Sequence, residues 1–244
     1  MSQKVKSHFL PAKPSREEAW KIFDAISKRY DLVNHLISFG ADLYWRRKLI
    51  AYLPKKTPIH LLDLATGTGS QLLAIIQRVP RVKAALGIDL SCEMIRAGQR
   101  KIIAKNYAHR VTLAKGDATA ISLSDATIDC VTMSFGIRNV TDVERSLAEA
   151  YRVLKKGGRL IILEFSLPKN CLIRTCHLFY LRHILPHIAG WIAHNKDAYR
   201  YLNQTIETFP YGNAFCRLME AAGLTSVQCF PLTFGVVTLY VGDK

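Results

Sequence analysis

Three clusters of residues have types and spacings that could do chemistry. Residues 63–70 read DLATGTGS and follow the apolar run IHLL. Glycines at 67 and 69 let the backbone turn tightly and approach a ligand closely. A helix beginning there would point free N–H groups and its positive dipole end at that ligand. Asp89 ends the next apolar run, 22 residues after Gly67. A carboxylate at about that offset accepts hydrogen bonds from ribose hydroxyls in adenine-nucleotide sites. The second cluster, KGDATAI at 115–121, sets Asp117 and Ala118 just past a third apolar run. Asp117 suits an adenine amino group and the Ala118 N–H a ring nitrogen; a solvated turn is the other reading. The third, SFGIRNVTD at 134–142, ends the run IDCVTM in a serine, a glycine, an arginine and an asparagine. Arg138 is a permanent cation, able to hold an anionic oxygen but unsuited to act as a base.

Two cofactor classes compete for the glycine loop. A dinucleotide site calls for G-x-G-x-x-G, and Leu72 leaves that pattern incomplete. An adenosylmethionine site needs only close backbone approach and an acid for the ribose, which the short GTG loop and Asp89 supply. A tight turn beside a surface aspartate is the third alternative.

The elements that must position these clusters alternate. Strands are expected at 59–64, 84–89, 111–116, 128–133 and 159–165, with helices near 70–79, 91–105 and 142–155. Thr141 with Glu144 and Ser15 with Glu18 have capping-box spacing, and Ala19, Ile22, Phe23, Ile26 and Tyr30 recur at helical intervals. Apolar strands alternating with helices predict a parallel, doubly wound α/β sheet covered on both faces. The rhythm changes after 166. Residues 170–206 read as an aromatic, helical insertion, followed by a helix at 212–223 and a hairpin of 227–230 with 235–241.

Composition bounds the partners. At 244 residues, 49% of them hydrophobic, the chain is expected to be one globular domain. Its 34 Lys and Arg against 19 Asp and Glu give +15, a balance suited to phospholipid, nucleic acid or a phosphorylated ligand. The six cysteines form no CxxC and read as reduced core thiols, and those at 171 and 176 with His177 and His183 match no common metal spacing. No metal is expected. No secretory segment is recognisable, and no apolar run approaches the ~18 residues of a spanning helix.

Taken together, YDLVNHLISFG (30–40) with Trp45, DLATGTG, SFGIRNVTD and YRVLKKGGRLIILEFSLP (151–168) closely resemble the quinone-biosynthesis C-methyltransferases. The likeness runs from about residue 20 to 241 and includes DAYRYLNQTI and LTFGVV. It implies the class I, Rossmann-like methyltransferase fold: seven strands with the last antiparallel, N-terminal helices, and a helical insertion after strand five. The corresponding segments are an N-terminal helical cap (1–56), a cofactor-binding core (57–166), the insertion (167–209) and a closing helix and hairpin (210–244). The resemblance also implies adenosylmethionine contacts at Thr68, Asp89, Asp117, Ala118 and Ser134, beside the loop glycines Gly67 and Gly69. The chain departs from the family at Val33, usually Met, at Lys156, usually Pro, at Ser70, usually acidic, and at Asp42, often His.

For such an enzyme, the strand-four mouth becomes the reaction site. The ring carbon of a neutral quinol is a poor nucleophile, so the phenolic proton needs a route and the phenolate needs stabilising. Arg138 is expected to hold the phenolate, with water between Arg138, Asn139 and a carboxylate carrying the proton. Tyr30, Asp31 and Asn34 are expected to close over the ring, and Glu164 to serve structure. The substrate implied is a prenylated quinol, demethylmenaquinol or a methoxybenzoquinol of ubiquinone synthesis. Leu172, Ile173, Phe179, Leu181, Ile184, Leu185, Ile188 and Trp191 could form an apolar tunnel or dock at a membrane, with Arg174, Arg182 and Lys196 favouring anionic headgroups. A cytoplasmic protein, peripheral at the inner face of the membrane, is expected; association with other quinone-pathway enzymes or as a homodimer stays open. A nucleic-acid methyltransferase is the chief rival, yet SFGIRN lacks the Asn/Asp-Pro-Pro-aromatic pattern of amino methylation. A non-catalytic assembly partner is the second rival.

Overall fold

The computed structural model describes residues 19–27, 29–187 and 196–244. Ser15 and Glu18 lie outside them, as do Ile188 and Trp191. Seven strands form one sheet in the order β3-β2-β1-β4-β5-β7-β6. These are β1 (Ile59–Leu64), β2 (Val82–Asp89), β3 (Val111–Lys115), β4 (Ile128–Ser134), β5 (Leu154–Phe165), β6 (Thr225–Leu232) and β7 (Val237–Asp243). The first five run parallel, and β7 pairs antiparallel with both β5 and β6. The chain reverses its winding between β1 and β4, which opens a crevice at the carboxyl ends of those strands.

Helices cover both faces because the strands are apolar on both sides; every residue of β4 from Ile128 to Met133 is buried. On one face Leu61, Cys130 and Ile161 pack against α3 (Ala41–Ile50) and α4 (Ser70–Arg78), with Ile95 and Ile102 of α5 (Cys92–Ala104). On the other, Leu62, Val131 and Ile162 meet Leu147 and Ala150 of α6 (Val143–Val153) and Phe215 and Met219 of α9 (Asn213–Ala221).

Several boundaries differ from the sequence reading, each for a local reason. The N-terminal periodicity divides into α1 (Ala19–Ile26) and α2 (Tyr30–Ile37), where the Ser27 hydroxyl turns back to donate to the Asp24 carbonyl. The cap of α6 is Asp142 rather than Thr141; its carboxylate accepts the Arg145 N–H at 2.9 Å. β5 begins five residues early, at Leu154. The Gly157–Gly158 pair is a bulge inside that strand, with Gly157 left-handed (φ 72°) and the register to β4 slipping between Ile128 and Cys130. Only Cys130 and Cys216 are buried; Cys92, Cys171 and Cys176 are exposed, so the core-thiol expectation fails for half of them.

After β5 the chain builds a second layer over the strand ends. The Asn170 side chain caps α7 (Cys171–Phe179) through the Leu172 and Ile173 N–H groups, and α7 runs into a π-helical turn at Tyr180–Ile184. Leu181 and Leu185 there pack with Ile206 of α8 (Lys196–Thr208) and with Val33 of α2. The Tyr180 hydroxyl donates to the Ile37 carbonyl at 2.7 Å, fastening this layer to the N-terminal helices. Among the described residues no helix is long and apolar enough to cross a membrane.

Candidate active site at two joined cavities

Two cavities meet above the carboxyl ends of β1, β2, β4 and β5. The first, of about 490 Å3, is lined by Gly67, Asp89, Asp117, Ala118 and Ser134, so five of the seven expected cofactor residues share one cleft. Asp89 accepts the Gly67 N–H at 2.7 Å and the Ser91 N–H at 2.9 Å. Burial raises its pKa against those two donors. Asp117 is braced by the backbone and hydroxyl of Thr119, both at 2.8 Å. Ser134 makes only a long contact, 3.3 Å, to Gln71, whose own side-chain nitrogen is buried without a partner.

Thr68 and Gly69 do not line this cleft. Gly69 caps α4 in a left-handed conformation (φ 70°). The Thr68 hydroxyl points behind the loop to Asp31 at 2.8 Å, where Ser70 also donates at 2.8 Å. Lys101 of α5 completes the knot, 2.6 Å from Asp31. Burial pushes the Asp31 carboxyl up, but the Lys101 ammonium and the two hydroxyls outweigh it and hold it below the ordinary carboxylate range. Asp31 therefore fastens the N-terminal helices to the glycine loop and lines neither of the two cavities, unlike Tyr30 and Asn34, with which it was expected to act. The departure at Ser70 fits: an acidic residue there would face this carboxylate.

The second cavity, of about 390 Å3, is mostly apolar and shares Phe23, Tyr30, Phe135 and Asn139 with the first. Its floor is a triangle of rings: Phe135 and Phe165 at 4.7 Å, and Trp45 at 5.9 and 6.2 Å from them. Ile173, Leu181 and Leu185 of the insertion close it, as the tunnel reading expects, whereas Leu172, Phe179 and Ile184 face outward. Phe135 is held at φ 59°, a conformation rare for an aromatic residue. The crowding lies one residue on. A Cβ at Gly136 would sit 2.5 Å from the Cβ of Ala65, so only glycine lets the β4 and β1 ends cross there.

Arg138 emerges from this crossing at 4% exposure. Its Nη1 donates to Glu164 at 2.6 Å and to the Phe135 carbonyl at 2.7 Å, and the guanidinium lies 5.2 Å from the Phe165 ring. Glu164 is fully buried and also accepts the Phe165 N–H at 2.8 Å. The structural role expected for Glu164 is thus the orientation of Arg138. Parallel pairing of β4 with β5, Ser134 opposite Leu163, brings the two strand ends together and is the signal that could have revealed the pair.

Three polar atoms on the wall of this cavity are buried without partners: Arg138 Nε, Asn139 Oδ1 and His177 Nε2. Burial lowers the His177 pKa, favouring the neutral ring. Burial raises the Tyr30 phenol, with Arg138 and Arg46 pulling the other way and the Asn34 side chain as its hydrogen-bond partner. An apolar cavity with a few convergent, unsatisfied polar atoms has the make-up of a small-molecule site. His177 escaped the sequence reading, which weighed it only against zinc. Among the described residues no three His, Cys, Asp or Glu side chains are grouped to hold a metal ion.

The sheet order, the reversed last strand and the acid-tipped glycine-loop cleft define a class I adenosylmethionine-dependent methyltransferase. Solved folds agree: a methyltransferase of Thermotoga maritima, described as a possible histamine N-methyltransferase, superposes with a TM-score of 0.66 at 22% identity, covering 92% of this chain and 99% of that one. A putative adenosylmethionine-dependent methyltransferase of Methanococcus maripaludis gives 0.63 at 19% identity, covering 100% and 97%. Within that class, the profile of the ubiE/COQ5 methyltransferase family matches residues 12–244, and the chain belongs to that family. The demethylmenaquinone methyltransferase of Thermus thermophilus is 42% identical over 223 residues, 91% of this chain and 100% of the relative. The ubiquinone/menaquinone biosynthesis C-methyltransferase of Geotalea daltonii is 40% identical over 231 residues, 93% and 97%.

Proposed function

We propose that the protein is an adenosylmethionine-dependent C-methyltransferase of quinone biosynthesis that converts demethylmenaquinol to menaquinol. The observation that carries the reading is the shared wall. The aromatic cavity meets the cofactor cleft at Tyr30, Phe135 and Asn139, and the unpartnered atoms of Arg138 and Asn139 stand beside that junction. The residues of the cleft suit the cofactor: Asp89 for the ribose, Asp117 and Ala118 for the adenine, and Ser134 at the end nearest the junction. Adenosylmethionine supplies an electrophilic methyl on a sulfonium.

The remaining chemistry belongs to the chain. Asn139 Oδ1 accepts the hydrogen bond of the phenolic O–H, the proton passes by way of water to the Asp42 carboxylate on the wall of the same cavity, and Arg138 Nε donates to the oxygen as it becomes phenolate, lowering its pKa. Glu164 fixes the guanidinium plane from behind, so this donor is already aimed when the proton leaves. His177 Nε2 meets the second ring oxygen. Phe23 and Phe135 confine the ring at the junction and exclude water, and holding the reacting carbons in line at ~3–3.5 Å supplies much of the acceleration. The Geotalea relative's name spans both quinone pathways, so the methoxybenzoquinol of ubiquinone synthesis is the second substrate. Contact with an anionic membrane surface follows from a prenylated substrate and the +15 charge.

The test mixes purified protein, adenosylmethionine and chemically reduced demethylmenaquinol, with the demethylated ubiquinone precursor in parallel. Mass spectrometry is expected to find the naphthoquinol heavier by one methylene. Cofactor binding without methylation of either ring would overturn the proposal.

A further inference from the structure

The quinol cavity opens beside two aromatic side chains that fold has left in water. Phe39 is 81% exposed and Phe234 80% exposed. Both hold left-handed backbone conformations, φ 51° and 58°, which bulky residues rarely adopt. Phe39 sits in the turn between α2 and α3, and Phe234 in the 3-10 turn Thr233–Gly235 before β7. The two turns are far apart in sequence, yet the indole N–H of Trp45, on the helix that follows Phe39, donates to the Thr233 hydroxyl at 2.7 Å and ties that helix to the second turn. Phe39 and Thr233 both line the cavity, so the two turns form part of its rim. Across the insertion, Leu172 is exposed beside Ile173, which also lines the cavity. Exposed cations stand at the start of α7, Lys169 and Arg174, where neighbouring Pro168 lies against Gly235 of the second turn.

We infer that this rim is the membrane-docking edge of the protein, with Phe39 and Phe234 entering the acyl boundary of an anionic phospholipid bilayer and these cations meeting its headgroups. The inference rests on the prenylated-quinol reading and assigns membrane contact to the two turns rather than to the inserted helices as a whole. Charge selects the occupant. Apolar tips beside Lys and Arg match an anionic interface, whereas a second copy of this chain would set the same cations against one another. The placement also solves a transfer problem: a rim seated in the bilayer lets the quinol ring enter the cavity while its prenyl tail stays in lipid.

The experiment is cosedimentation with vesicles of equal parts phosphatidylglycerol and phosphatidylcholine, compared with phosphatidylcholine alone. The parent is expected to sediment with the anionic vesicles only. Phe234→Ser, a position outside the cavity lining, should weaken that binding at least about tenfold, as the loss of one inserted phenyl ring predicts. Phe234→Trp should retain it, and Leu172→Ser should weaken it in the same direction. Methylation of a short-chain, water-soluble quinol should stay at the parental rate in Phe234→Ser, while methylation of long-chain quinol in vesicles falls. Parental sedimentation by Phe234→Ser would overturn the inference. So would a parent dimer in sedimentation velocity that the substitution splits, since the rim would then join two copies. Sedimentation needs no turnover, so failure of the methylation reading leaves the docking result readable on its own.

Discussion

In the mechanism proposed above Arg138 serves both the reaction and the fold, and the two roles separate experimentally. Removing one partner of a buried ion pair costs about 3–5 kcal/mol because the other charge stays buried and unpaired. Arg138→Ala should therefore both abolish turnover and lower the melting temperature, while cofactor affinity by calorimetry changes little. Replacing both partners, Arg138→Met with Glu164→Leu, should recover most of the melting temperature and none of the turnover. A double variant that regains activity would show that the arginine only holds the strand ends. His177 stands apart from this network, so His177→Phe should leave stability and cofactor binding intact while raising the KM for quinol. The rise should be about tenfold, as loss of one hydrogen bond in an apolar pocket allows. His177→Gln, which keeps a polar atom there, should rescue part of it. The sequence displayed Arg138 and Asn139 openly, as polar residues closing an apolar run. It hid His177 among helical residues with no pattern of their own, and it hid Asp31's true partner, because Lys101 lies 70 residues away on another helix.

The cofactor loop is shaped as much by what presses on it as by its own glycines. Helix α5 crosses the loop at Gly98, where an added Cβ would lie 2.5 Å from Leu113 and 3.0 Å from the backbone of Thr68. Gly98→Ala should push helix and loop apart, cost about 1–3 kcal/mol in a denaturant titration, and weaken adenosylmethionine binding in calorimetry. Unchanged affinity with lost stability would mean that the loop tolerates the shift. The strands and main helices were legible because alternation and apolar content are local signals. The bulge at Gly157, the break after Ile26 and the left-handed Phe135 were not, since each answers a neighbour that the chain meets only after folding. At Phe135 a reader of FG assigns the unusual torsion to glycine. The phenylalanine carries it, and the glycine is needed for space.

Across the whole molecule, the end of the sheet opposite the two cavities carries an ion-pair cluster of its own. Near the amino ends of β1 and β4, Asp129 binds Lys56 at 3.2 Å, Lys155 at 3.1 Å and the His60 N–H at 2.9 Å. Burial pushes its carboxyl up, but the His60 N–H and the two ammonium groups outweigh it and hold the pKa at about 2. The folded value lies below the unfolded one of about 3.9, so this stabilisation is full above pH ~4 and lost as pH falls through ~2. Chemical denaturation at pH 5 and at pH 2.5 should show a fall in stability that is smaller in Asp129→Asn than in the parent, by about 1–2 kcal/mol. The resemblance made the sheet order readable; the two joined cavities were not, because they arise where the N-terminal helices, the insertion and the strand ends converge. Phe23, Tyr30, Phe135 and Asn139 belong to both cavities at once. A ligand that orders these four side chains prepares the wall for its neighbour, and thermodynamic reciprocity then fixes the rest. Whatever factor the cofactor adds to quinol affinity, quinol returns to the cofactor, so on the proposed reading demethylated substrate would itself retain adenosylmethionine on the protein until the methyl has moved.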